Sequence, residues 1–246
     1  MGAKPLFGYE QDAPLRVQVL DVGQGLAVLI QTSNHTLLYD TGAKRADARE
    51  GMGERVVLPA LSFAGIFSLD KMIISHADYE HSGGAAAILN RMSVDEVISS
   101  KPLVNVKTTM CASGQHWQWD GVDFDILAPW QGIQSFDEKD ESCVLRIRAP
   151  AQANGQRATI LLMGDAGSDV ENRLLQEHES VGNLLTSDVL LLGDHGSERA
   201  SSDEFLQAVA PKHAVISTSF LNKKYPSDVV LSRLAEQAIT IDSTVM

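Results

Sequence analysis

The chain has 246 residues, 44% of them hydrophobic, and a formal net charge of −12. Such a length and apolar content suit one large domain or two small ones with a sizeable core. The acidic balance excludes a surface that tracks nucleic-acid phosphates by charge alone, though not a nuclease whose metal ions supply local positive charge. No run approaches the roughly eighteen apolar residues of a membrane span, and Met1 to Glu10 lack signal-peptide order. The chain reads as a soluble, enzyme-like unit.

Residues 1–14 are polar, carry Pro5 and Pro14, and read as a tail or linker ahead of one domain over 15–246. Arg16–Asp21 alternates as a strand, Gly23-Gln24-Gly25 turns, and Leu26–Gln31 returns. Thr36–Tyr39 forms a third strand ending at Asp40-Thr41-Gly42, where turn chemistry is the plain alternative for Asp40. Glu54–Gly65 has helical spacing, with Pro59 near its first turns. Asp70–Ser75 is a strand, and Gly84–Met92 a small-residue helix packed on a sheet. Val94–Ser99, Val104–Thr108 and Val122–Leu127 alternate as further strands, with Trp117 and Trp119 flanking a turn.

Asp137–Glu141 is an acidic loop before the strand Cys143–Ile147. Ala158–Met163 is a strand ending in Gly164-Asp165, Val170–His178 a helix, and Ser187–Leu192 a strand ending in Gly193-Asp194-His195. Ser201-Ser202-Asp203-Glu204 fits a capping box for a helix over Glu204–Val209. His213–Ser217 and Ser227–Gln237 complete the pattern as strand and helix. Strands in each half with helices between them imply two face-to-face sheets with helices outside. Cys111 and Cys143 make no CxxC pair and fit either one bridge or two buried thiols.

One stretch carries the chemistry. Ser75-His76-Ala77-Asp78-Tyr79-Glu80-His81 places two imidazoles and two carboxylates within six positions after an apolar run. His with Asp or Glu can hold divalent ions. Four strands end in ligand-type residues, Asp40, His76, Asp165 and His195, and four such ends at one sheet edge would make a site.

These motifs, together with Leu20-Asp21-Val22-Gly23-Gln24-Gly25, Tyr39-Asp40-Thr41-Gly42, His81-Ser82-Gly83-Gly84, Ser142-Cys143-Val144-Leu145 and His195-Gly196-Ser197, resemble the metallo-β-lactamase superfamily. Its signature is a His-x-His-x-Asp-His loop after a strand. Within it the chain looks like the C-terminal hydrolase-like domain of the ComEC family, competence channel proteins that bring DNA into bacteria. The match runs from Leu15 to Arg233.

The resemblance implies a metallo-β-lactamase-like αβ/βα four-layer sandwich with two mixed β-sheets, outer helices and two divalent ions, manganese or zinc, with magnesium also compatible. His76 and Asp78 would hold one ion and Glu80 and His81 the other. Asp165 would bridge them, His195 would complete the second site, and Asp40 would support the loop from behind. Asp40, Glu80 and Asp165 form the expected catalytic set. Substrate contacts would come from Ser142, Asp194, Ser197, Arg199, Lys223 and Lys224. Asp78 in place of the second His is usual in the ComEC branch, and carboxylate-rich ligation favours manganese or magnesium over zinc.

Four positions depart from the family pattern. Glu80 replaces an Asp, Asp194 a His, and Lys139-Asp140 a pair of Asn, while Tyr225-Pro226-Ser227 lacks a His. The implied function is a phosphodiesterase that degrades the non-imported DNA strand with a metal-activated water. Its partners would be single- or double-stranded DNA and the channel's membrane portion, with no small organic cofactor and no catalytic part for the cysteines. The domain would lie on the periplasmic face of the inner membrane, or in the cytoplasm if free-standing. The alternatives are a weakly active or metal-free DNA-binding or structural module of the channel and a small-molecule hydrolase on the same scaffold.

Overall fold

The structure, a computed structural model, describes residues 13–132, 137–153, 155–182, 184–219, 221–222 and 224–244. The tail expected over 1–14 lies mostly outside them. The first sheet contains β1 (Leu15–Val19), β2 (Val28–Thr32), β3 (Thr36–Tyr39), β4 (Ser68–Ile74), β5 (Ser93–Ser99) and β6 (Thr108–Met110), in chain order. β1 to β3 pair antiparallel and β3 to β6 parallel.

The second sheet repeats the plan. β7 (His116–Trp119), β8 (Val122–Ala128), β9 (Val144–Arg148) and β10 (Thr159–Leu162) pair antiparallel. From β10 the sheet continues in parallel through β11 (Val189–Leu191), β12 (His213–Ile216) and β13 (Thr240–Ser243). Short turns suffice for the antiparallel part, whereas the parallel part needs crossovers, and these carry the helices.

The helices are α1 (Leu58–Phe63), α2 (Tyr79–Ser82), α3 (Ala85–Leu89), α4 (Ser168–Val181), α5 (Asp203–Val209) and α6 (Asp228–Glu236). Val17, Ile30, Tyr39, Phe124, Leu145 and Leu162 belong to the layer between the sheets. Val57, Leu61 and Ile88 pack outside the first sheet, and Val170, Leu174, Phe205 and Leu234 outside the second. The expected four-layer sandwich is thus present. Covering both faces explains why Met72-Ile73-Ile74 and Val189-Leu190-Leu191 are uninterrupted apolar runs, while β1 alternates.

Several local expectations change. The strand placed at Val104–Thr108 begins only at Thr108, because Asn105 has φ 59° and the chain turns there. Trp117 and Trp119 lie on β7, where the Trp117 ring stacks on Phe124 at 5.0 Å; the turn is Asp120-Gly121. The helix expected over Glu54–Gly65 is a π-helical turn, Gly53–Val57, followed by α1 with Pro59 in its first turn. The acidic loop Asp137–Glu141 contains a 3-10 turn, Glu138–Glu141. Thr240–Ser243, short and polar, adds an edge strand through β12. At α5 the cap is Ser202, whose hydroxyl accepts from the Phe205 N–H. Cys111 and Cys143 are joined as a disulfide, 6.0 Å apart at Cα, linking the end of β6 to the start of β9.

The two sheets are also clasped at the far end by Asp120. Its carboxylate accepts from the Thr32 hydroxyl (2.6 Å), the Asn34 N–H (2.8 Å), the Asn34 amide (2.7 Å) and His35 Nδ1 (3.0 Å). Hydrogen bonds from Thr32, then Asn34 and His35, hold this carboxyl well below the usual carboxylate range. A depressed pKa stabilises the fold above the unfolded-state value, and that contribution is lost as pH falls towards the folded-state value. Asp120→Asn is therefore expected to lower stability at neutral pH, with the difference from the parent chain shrinking in strong acid. Urea unfolding at both pH values checks this.

Candidate metal centre

The site lies at the carboxyl ends of the parallel strands, where crossover connections leave loop ends free to converge. β3 delivers Asp40, β4 delivers Ser75 and His76, β10 delivers Asp165, and β11 delivers Asp194 and His195. Asp40, Asp194 and His195 have left-handed φ values of 59°, 45° and 55°, conformations that concentrate where surrounding structure dictates them. Gly164, at φ 59°, leaves room for a close approach: a Cβ there would sit 2.9 Å from Ser75 Cβ and 3.1 Å from the Ser142 side chain.

The histidines are oriented by groups behind them. Asp40 accepts from the Ser75 N–H (2.6 Å), the Ser75 hydroxyl (2.7 Å) and His81 Nδ1 (2.8 Å). His195 Nδ1 lies 2.8 Å from the Ser217 carbonyl, and His76 Nδ1 lies 3.1 Å from Ser75 Oγ. A carbonyl can only accept, so His195 carries its proton on Nδ1 and presents Nε2 as a lone pair. The Asp40 carboxylate imposes the same proton on His81 Nδ1. With its own proton committed to Asp40, Ser75 Oγ can only accept from His76. Outer groups fix metal-ligating histidines in this way.

Asp165 faces all three rings. Its Oδ1 lies 3.0 Å from His81 Nε2 and 3.6 Å from His195 Nε2, and its Oδ2 lies 3.8 Å from His76 Nε2. Glu80 Oε2 is 3.4 Å from His195 Nε2. These spacings match the roughly 3.3 Å between donors around a tetrahedral ion with bonds of about 2.0–2.1 Å. The three Nε2 atoms and Asp165 Oδ1 are buried and have no hydrogen-bond partner among the described residues. Such atoms are costly unless something pairs with them. Donor atoms of His76, His81 and Asp165 all lie within 4.8 Å of one another, so the residues fit a divalent metal.

Electrostatics agree. Burial, and then the charge of His81, pushes His76 down to about 4, making it a neutral donor at neutral pH. Burial lowers His81, but Asp165 and Asp40 outweigh it and push it up to about 10. The same carboxylates favour any cation at that nitrogen. Burial raises Glu80, yet the neighbouring His195 ring and the hydrogen bond from the Tyr79 hydroxyl bring it down to about 2. Burial likewise raises Asp165, and the charge on His81 holds it well below its ordinary range.

The remaining expected residues divide. Ser142 is buried at the centre, its Oγ accepting from the Asp165 N–H at 3.1 Å. Asp40 sits behind His81, in the supporting position. Asp78 precedes α2, half-buried, and its charge bears on His76, but its carboxylate makes no hydrogen bond among the described residues. Ser197 is turned into its own loop, where Oγ accepts from the Arg199 N–H. Arg199 is exposed and pairs with Asp137 at 3.0 Å. Lys224 is exposed, with its Nζ 5.1 Å from the Tyr225 ring centroid, and Lys223 lies outside the described residues. Lys139 was not among the expected site residues, yet its ammonium donates to Asp165 Oδ2 at 3.0 Å and to Asp194 Oδ1. Its place shortly before Ser142 was the available signal.

The geometry defines a metallohydrolase-type centre on a four-layer sandwich, and comparison with known proteins agrees. The family model described as Metallo-beta-lactamase superfamily matches residues 20–110. The chain belongs to this superfamily, in its ComEC branch. It is 38% identical to the Competence protein ComA of Neisseria gonorrhoeae over 92% of its length, and 35% identical to Recombination protein 2 of Haemophilus influenzae over 93%. It spans 30% and 27% of those two proteins. Among solved structures, Igni18, a metallo hydrolase from Ignicoccus hospitalis, superposes with a TM-score of 0.56 at 15% identity, covering 92% of this chain and 94% of that one. That likeness concerns the fold. Among the described residues no helix is long and apolar enough to cross a membrane.

Proposed function

We propose that the chain is a metal-dependent phosphodiesterase that cleaves DNA, acting on the strand not imported during DNA uptake. The observation that carries this reading is the convergence of three oriented Nε2 atoms and Asp165 Oδ1 with no partner of their own. His76, His81, His195 and Asp165 would hold the metal, with Glu80 and Asp78 at its margins. A bound divalent ion supplies Lewis acidity towards a phosphoryl oxygen and acidifies a water. Asp40 fixes the His81 ring and raises its basicity, and the Ser217 carbonyl fixes His195. Ser142 holds the Asp165 backbone in place. Lys139 and Arg199, which line one pocket beside Asp165 and Asp194, offer positive charge to a phosphate.

The relatives, named as a competence protein and a recombination protein, support DNA as the substrate. Joined to the membrane portion of a longer channel, the domain would work on the periplasmic face of the inner membrane. A metal-free DNA-binding module is the second reading, and the Lys139 ammonium on Asp165 favours it. Labelled single- and double-stranded DNA and a chromogenic aryl phosphodiester, each given to the parent chain and to His76→Ala, separate the readings. DNA cleavage lost in His76→Ala is the expected result. Turnover of the aryl ester alone would assign a small-molecule hydrolase, and DNA binding without turnover would assign the second reading.

A further inference from the structure

We infer that the Lys139 ammonium takes one of the two cation positions around Asp165, so that this centre holds one divalent ion and uses a fixed lysine charge in place of another. The inference deepens the metal-hydrolase reading and rests on it. The two oxygens of Asp165 face different partners. Oδ1 is turned towards His81 and His195, at 3.0 and 3.6 Å. Oδ2 receives the Lys139 ammonium at 3.0 Å, closer than His76 Nε2 at 3.8 Å. A second ion bonded to Oδ2 would have to share it with this ammonium, and like charges at such a distance repel strongly inside a protein.

Lys139 is anchored at both ends. Its side chain is 31% exposed, and its ammonium also pairs with Asp194, whose side chain is 7% exposed. Its backbone N–H is held by the Asp137 carboxylate at the start of the 3-10 turn. That turn leads directly into Ser142, whose hydroxyl accepts from the Asp165 N–H. Of the buried ligand atoms without hydrogen-bond partners, those of His76, His81 and Asp165 belong to residues whose donor atoms lie within 4.8 Å of one another, a grouping that suits one ion. The ammonium faces the pocket that Arg199 also lines, so it offers a substrate phosphate the charge that another metal would have brought.

The test counts ions. The purified parent chain, Lys139→Met and Lys139→Arg are loaded with manganese and, separately, with zinc, and the bound ions are counted by native mass spectrometry. One ion in the parent chain and in Lys139→Arg, with two in Lys139→Met, is the expected result. In Lys139→Met the carboxylates of Asp165 and Asp194 are released to take the added ion. Two ions in the parent chain, or one in a folded Lys139→Met, would overturn the lysine assignment and leave the metal hydrolase standing. No ion in any chain would overturn both. Lys139→Gln, closer in shape and polarity, serves in place of Lys139→Met if the latter does not fold.

Discussion

Asp165→Asn is expected to lower DNA hydrolysis roughly a thousandfold, the scale seen when one preorganised charge-stabilising group is removed from an active site. Among the described residues, Asp165 is the one whose carboxylate lies within 4 Å of all three imidazoles and the Lys139 ammonium. The asparagine keeps its shape but presents one amide oxygen instead of two charged ones. The histidines then face a neutral group, and metal affinity falls along with the rate. Lys139 keeps Asp194 as a partner, so the local fold has a charge pair left. Initial rates under saturating metal, paired with thermal melts, check this. A variant that melts like the parent chain and cuts DNA as fast would remove Asp165 from the chemistry.

Asp40→Ala carries the largest expected effect on stability, about 3–5 kcal/mol, as when one partner of a buried charged pair is removed. Asp40 and His81 are both fully buried, and the carboxylate answers three donors: the Ser75 N–H, the Ser75 hydroxyl and His81 Nδ1. Alanine leaves all three without an acceptor and adopts the left-handed conformation at φ 59° less readily than Asp. Asp40→Asn keeps one acceptor oxygen and should lose less. Urea unfolding of the three chains gives the ranking. An alanine variant within about 1 kcal/mol of the parent chain would mean that the loop is held by other contacts.

Much of the fold was legible because its strands are either alternating or continuously apolar, and both signals follow from which faces are covered. Elements that depend on a partner were less legible. Thr240–Ser243 has no apolar pattern of its own and becomes a strand through β12. The strand expected over Val104–Thr108 failed because the left-handed turn at Asn105 interrupts an otherwise alternating stretch. At the site, the strand-end residues Asp40, His76, Asp165 and His195 were readable as types and positions, and His81 and Glu80 from their spacing. Arg199 shows what sequence place leaves out: it lies near His195 in the chain, and its guanidinium pairs with Asp137, 62 residues earlier. Lys139 reaches Asp165 across 26 residues of sequence, and its contact depends on how β9 and β10 pair, which no local pattern encodes.

The most direct test of the central claim is cleavage of end-labelled DNA by the purified chain, stripped of metal by a chelator and then given manganese or zinc. Products are expected only after an ion is restored, and none from Asp165→Asn treated in the same way. Equal cleavage by the stripped chain, or no cleavage with either ion, would contradict it.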